Sequence, residues 1–180
     1  FYSACLTKLQ IPPKLKKIHN RCFSLTQNLI DIEVSPKNKQ FSYIENKYLA
    51  GKSQEDRDVF DVLLYARYDI EEAVIPPQIE IVNENSFNNH DKLKSVLFPN
   101  NSKLKRIEYS AFSSSTLSKL VLPASLEYMH HSALCTIEYL NEIEVSPKNQ
   151  TFSMINKTLL VKKIDPSSKV FDYLVFCRRD

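Results

Sequence analysis

Ile32-Glu33-Val34-Ser35-Pro36-Lys37-Asn38 returns letter for letter as Ile143-Glu144-Val145-Ser146-Pro147-Lys148-Asn149, 111 residues further on. The match spreads outward from this stretch. Phe1 to Asp69 aligns without a gap on Phe112 to Asp180, with about 27 of 69 pairs identical. A finer period of about 23 residues runs inside the long one, so the chain is a tandem array. Stacked repeats bury apolar side chains against their neighbours and leave one long surface free. That layout points to binding or structural work rather than catalysis.

Aligned on a leading Leu or Ile, the coils start near Leu6, Leu29, Ile70, Leu93, Leu117 and Leu140. Each opens with spaced apolar residues and a Pro: Leu6, Leu9, Ile11 and Pro12; Ile70, Ala73, Ile75 and Pro76; Leu93, Val96, Phe98 and Pro99; Leu117, Leu120, Leu122 and Pro123. The last alternating residues before the Pro predict a half-buried strand, and Pro ends it because it lacks a donor for the ladder. A second apolar pair follows, three apart: Leu15 and Ile18, Ile79 and Val82, Leu104 and Ile107, Leu126 and Met129. Next comes a small residue before a large apolar one, as in Ser86-Phe87, Ala111-Phe112 and Ala133-Leu134. Phe1 reads as the remnant of a preceding coil, which makes the chain a piece of a longer array.

Two coils run to 41 residues instead. After Ser-Pro they carry Phe41 to Ile44, Tyr48-Leu49, a polar stretch Gly51 to Asp58 and Val59 to Tyr65. In the second copy these become Phe152 to Ile155, Leu159 to Val161, Asp165 to Ser168 and Val170 to Phe176. β-branched and aromatic runs around a polar turn predict a β-hairpin insertion in each.

The chain holds one glycine in 180 residues, against nine Pro. Its turns are therefore expected from Pro, Asn, Ser and Asp, with no need for positive φ. The net charge of +3 is too small to favour nucleic acid or an acidic membrane. No run is long and apolar enough for a membrane-spanning helix.

Leu-x-x-Leu-x-Ile-Pro, apolar residues three apart and then Ala-Phe, at this period over essentially the whole chain, resembles the BspA-like (Treponema pallidum type) leucine-rich repeat proteins. The resemblance implies a leucine-rich repeat solenoid: mainly β, a parallel concave sheet, short 3-10 or irregular convex turns and two β-hairpin insertions, as a single unit over 1–180. It implies a non-catalytic protein–protein recognition module of the adhesion type, a surface antigen at the cell surface or outside the cell. The alternative is an intracellular structural or scaffold component packed into a larger assembly or filament. End-to-end docking with further repeats or other chains suits that alternative. The chain departs from the family where Gly is usual, with His19, Asn83, Glu108 and His130 in that slot, and where Cys is usual, with Thr26, His90 and Ser115.

Several features suggest sharper chemistry and give way to plainer explanations. The histidines His19, His90, His130 and His131 lack metal-ligand spacing and are expected in surface turns. Cys5, Cys22, Cys135 and Cys177 share no repeat slot and are expected as buried free thiols. Asn100, Asn149 and Asn156 begin glycosylation-type triplets, about as many as chance supplies. Lys14, Lys16 and Lys17, with Lys103, Lys105 and Arg106, surround buried apolar residues as a solvated face. No nucleophile–base pair and no phosphate loop occurs, and no cofactor or metal is expected.

The surface left free is the outward side of the opening strands. One column of variable residues there is Lys8, Asp31, Glu72, Ser95, Lys119 and Glu142. The adjacent one is Gln10, Glu33, Val74, Leu97, Val121 and Glu144. Three apolar residues in file between carboxylates are the pattern of a protein contact, so these twelve residues are the expected partner-binding set.

Overall fold

A computed structural model describes residues 5–19, 21–24 and 26–178 of the chain; Phe1, read above as part of a preceding coil, lies outside them. The protein is built from strands and turns. In chain order the strands are β1 (Lys8–Ile11), β2 (Asp31–Val34), β3 (Phe41–Ile44), β4 (Tyr48–Gly51), β5 (Val62–Ala66), β6 (Glu72–Val74), β7 (Ile81–Val82) and β8 (Ser95–Leu97). They continue with β9 (Arg106–Ile107), β10 (Lys119–Leu122), β11 (Tyr128–Met129), β12 (Glu142–Val145), β13 (Phe152–Ile155), β14 (Leu159–Lys162) and β15 (Tyr173–Cys177).

The opening strands stack in parallel, as their alternation requires. β6, β8, β10 and β12 form one sheet, and β1 pairs with β2 in another. Equivalent residues fall into register: Leu9 opposite Ile32, then Ala73 beside Val96, Val96 beside Leu120 and Leu120 beside Ile143. Ala73, Val96 and Leu120 are fully buried. The second apolar pairs make a narrow parallel sheet of their own, with Ile81 opposite Arg106 and Val82 opposite Ile107, then Arg106 beside Tyr128. Parallel strands require long connections, and each coil supplies one.

The file of opening strands is interrupted between β2 and β6. There the first 41-residue coil inserts a three-stranded antiparallel meander, β3-β4-β5, so Phe41–Ile44 is a strand in addition to the expected hairpin. β5 then pairs in parallel with β7 (Val62 opposite Ile81, Leu63 opposite Val82) and extends the narrow sheet to six strands. The meander is a wall with a core on each side. Leu49 and Tyr65 point into a cluster with Ile11, Leu29, Ile32 and Phe41, while Tyr48, Ala50 and Leu63 point into the larger cluster with Ala73, Ile75 and Ile79. Alternation along β4 and β5 therefore feeds two interiors, which explains why these strands are apolar on both faces. The second copy makes the same meander, β13-β14-β15.

The repeated Asn has a structural task. Asn38 donates to the carbonyls of Pro12 (2.7 Å) and Leu15 (3.1 Å), and its Oδ1 accepts from the amides of Gln40 and Phe41. Asn149 repeats this on Pro123 (2.8 Å), Leu126 (3.0 Å), Thr151 and Phe152. Each is buried and ties its coil to the Pro turn of the coil before. The wall's loop is fastened by charge: Arg57 bridges the fully buried Asp61 (2.5 Å) and Glu80 (2.7 Å), and Lys105 adds a bond to Glu80 (3.1 Å). Arg57 beside it holds the Glu80 carboxyl below its usual range.

The turns differ from expectation. Among the described residues ten that are not glycine adopt positive φ. Glu45-Asn46 and Asn156-Lys157 are the central pairs of tight primed hairpin turns, closed by Lys47 N donating to Ile44 O and Thr158 N to Ile155 O. The others recur in the coil-end turns, at Asn85, Asn89, Ser110, Ser114 and Thr136 among them. At three of these the ladder between coils is the cause: Asn85, Asn89 and Ser114 each donate an amide to the next coil (Tyr109, Ser113 and Cys135 carbonyls, 3.0–3.2 Å), which overrides the local steric cost.

Candidate protein-binding face

The outward side of β6, β8, β10 and β12 carries eight of the twelve expected residues. Alternation sends Ala73, Val96, Leu120 and Ile143 inward, which turns their neighbours out. Val74 sits beside Leu97, and Val121 continues the row and pairs with Glu144. Val74 is 52% exposed; Leu97 and Val121 are half-buried. The parallel column runs Glu72, Ser95, Lys119, Glu142. Lys119 reaches both Glu142 (2.6 Å) and Glu144 (3.0 Å), and its ammonium holds the Glu142 carboxyl below the ordinary carboxylate range. Lys94 pairs with Glu71 (2.5 Å) beside Glu72.

The other four expected residues lie together on β1 and β2, across the wall. Lys8 is opposite Asp31 and bonds it at 3.0 Å, and Gln10 is opposite Glu33 and donates to it at 2.9 Å. This patch is polar throughout and lacks the apolar row. The structure thus brings the twelve residues together as two groups, eight on the four-stranded sheet and four on the pair.

Sequence reasoning missed a groove bordering the apolar row. Where the strands end, Pro99, Pro123 and Pro147 flank a trough floored by Phe98, Val121 and Leu122. Its counterpart 111 residues earlier lies between Pro12, Pro13 and Pro36, with Gln10 where the later copy has Val121. The exposed Tyr139 beside Lys94 and Ser118 was also missed. The only signal for either was position within the repeat.

Two expectations are corrected. His90 is buried, not in a surface turn. Its ring stacks on Tyr68 (4.1 Å), Nε2 lies 3.1 Å from the Ala66 carbonyl, and burial pushes its pKa down to about 4. It occupies the inward slot third after Phe87, where Thr26 and Ser115 sit in their coils and bond the carbonyls of Phe23 and Phe112 (both 2.7 Å). The cysteines are not buried: Cys5, Cys135 and Cys177 are exposed and Cys22 is half-buried. Cys177 occupies the place of the fully buried Ala66, but among the described residues no strand lies along β15 as β7 lies along β5. His19 and His131 are exposed and His130 is half-buried in turns, as expected. Asn149 uses its amide in the bonds above, so that triplet is structural.

Among the described residues no three His, Cys, Asp or Glu side chains cluster as a metal site, and no helix is long and apolar enough to cross a membrane.

Comparison with known proteins agrees with this geometry. The BspA type leucine-rich repeat region matches residues 1–55 and 61–176, in six copies. No curated protein sequence matches the chain. Among solved structures it is similar to a leucine-rich repeat protein from Eubacterium ventriosum (20% identity, TM-score 0.66, covering 84% of this chain and 39% of that one). It is also similar to the pneumococcal vaccine antigen PcpA (19%, 0.60, 81% and 40%). A leucine-rich cell surface protein from Faecalibacterium prausnitzii matches at 21% identity and a TM-score of 0.50, covering 81% and 49%. At such identities the likeness concerns the fold, and the chain spans less than half the length of each.

Proposed function

The chain belongs to the BspA-type leucine-rich repeat family, and from that premise we propose that it is a non-catalytic recognition module that binds protein, in an adhesion-type role at the cell surface. Two of the similar solved proteins are a vaccine antigen and a cell surface protein, which supports the surface setting. The observation that carries the reading is the row Val74, Leu97 and Val121 held outward between carboxylates. Exposed apolar residues inside a polar rim form the centre of a protein contact, and a few such residues carry most of its energy.

The test is Val74→Glu combined with Leu97→Glu. Adhesion to immobilised extracellular-matrix proteins and to cultured cells should weaken by roughly 2 kcal/mol, tenfold or more, as hot-spot loss does. Thermal melting should stay unchanged, because neither side chain is in the core. Equal adhesion by the double variant overturns the assignment of this face.

A second reading, a structural component packed into a larger assembly, is favoured by one feature. Ile164, Val170 and Leu174 lie exposed on the second meander. Leu174→Glu separates the two readings, since it should abolish assembly and leave adhesion intact.

A further inference from the structure

The four-stranded face has an apolar middle and an excess of negative charge at both ends. At the β6 end Glu71 bonds the ammonium of Lys94, and Glu72 lies beside it; the neighbouring Asp91, Glu45 and Asp69 are matched in number by Lys92, Lys47 and Arg67. At the β12 end Glu142 and Glu144 share the single ammonium of Lys119. Arg178, beyond the row, donates to the Asn141 carbonyl (3.2 Å). On the face itself each end therefore sets two carboxylates against one lysine. The excess is local, because the whole chain is net positive at +3. The distance between the two ends follows from the fold. Three strand-to-strand steps of about 4.8 Å put them about 14 Å apart, the length of about four extended residues.

We propose that this face takes an extended polypeptide segment of about four apolar residues flanked on each side by Lys or Arg. The segment crosses the strands, with its apolar side chains along Val74, Leu97 and Val121. Its cations meet Glu71 and Glu72 at one end and Glu142 and Glu144 at the other. The proposal rests on the reading that this face binds protein, and adds the chemical class of the partner. The apolar row selects against small anions and sugars. The terminal carboxylates select against acidic segments and speed the approach of basic ones, an effect that salt screens. The trough beside Pro99, Pro123 and Pro147 gives room for a bulky side chain next to Val121.

The experiment uses the whole chain and three labelled synthetic peptides, with binding read by fluorescence anisotropy at low and high salt. One peptide has the centre Val-Leu-Thr-Val between two Lys-Arg pairs; the second has Glu-Glu in place of each pair; the third keeps the basic pairs around four Ser. The basic apolar peptide should bind at least tenfold tighter than either twin, and more weakly in high salt. Glu72→Lys with Glu144→Lys should reverse the preference between basic and acidic flanks. Val74→Ser with Leu97→Ser should weaken the basic apolar peptide at least tenfold, with melting curves confirming that each variant folds. If acidic and basic flanks bind alike and the Ser variant loses both, the charge class is overturned while the face stands. Binding that no variant changes overturns the face as well. No binding by any of the three overturns the segment class, and the adhesion assay then judges the broader reading separately.

Discussion

β4–β5 and β14–β15 carry equivalent residues 111 apart, pair with the same antiparallel partners and shift register at the same place. Their local bonds agree too: Ser53 N donates to Asp61 (2.8 Å) as Ile164 N does to Asp172 (2.9 Å). Their surroundings do not. Leu63 is fully buried and Leu174 is 54% exposed; Asp61 is buried and Asp172 exposed. The difference comes from the coil starting at Ile70, which lays β7 along β5 and has no counterpart against β15 among the described residues. Each coil's own sequence makes its strands and turns, whereas its burial depends on the coil stacked upon it.

The largest expected effect tests that division directly. Leu63→Ala should cost about 4 kcal/mol, as truncation in a closed core does, whereas Leu174→Ala should cost under about 0.5 kcal/mol. Urea unfolding of the two variants measures both, and similar losses would break the comparison.

The covered junction also carries a buried titratable group. His90, packed on Tyr68 and Ala66, is neutral in the folded chain down to about pH 4. In the unfolded chain it takes a proton near its ordinary pKa of 6.5. Its stabilising contribution is therefore complete above pH 6.5 and lost progressively as pH falls towards 4, by about 3 kcal/mol in all. Unfolding free energy followed over that range should slope downwards, and His90→Gln should flatten the slope.

The copies should respond alike where their bonds are alike. Asn38→Ala and Asn149→Ala should each cost about 2 kcal/mol, since each strands buried carbonyls and amides. A large difference in unfolding midpoint between them would show that the second meander adds little to stability.

The smallest effect concerns a coordinated exchange. A Cβ on Gly51 would lie 3.0 Å from Cδ1 of Leu64. The second copy has Lys162 there and the shorter Val175 opposite. Gly51→Ala should cost about 1 kcal/mol by overpacking, and adding Leu64→Val should recover most of it. Thermal melts of the single and double variants measure the recovery.

Periodicity made the rows legible in the sequence, because a residue's phase within 23 determines whether it faces the interior or water. It reached Val74, Leu97 and Val121 for the same reason. What it could not reach depends on contacts between coils. The sheet breaks at β2 because the inserted meander has two apolar faces, a fact visible only when both cores are in place. Asn38 looks like a turn residue until its acceptors on Pro12 and Leu15 appear, and Asn85 or Ser114 accepts a left-handed backbone only because the next coil takes its amide. His90 differs from its expected surface place because its repeat slot points inward, as it does for Thr26 and Ser115, and a polar residue in that slot carries no sequence mark of burial. Cys177 is exposed because, among the described residues, no strand lies along β15 as β7 lies along β5.

The wall formed by β3, β4 and β5 has a mechanical consequence. A strand with side chains locked into an interior on either side cannot peel away by sacrificing one of them; both must open together. Under a load applied at its two ends, the protein should therefore surrender its single-sided turns one after another and then halt at this partition, which serves as the molecule's arrest point.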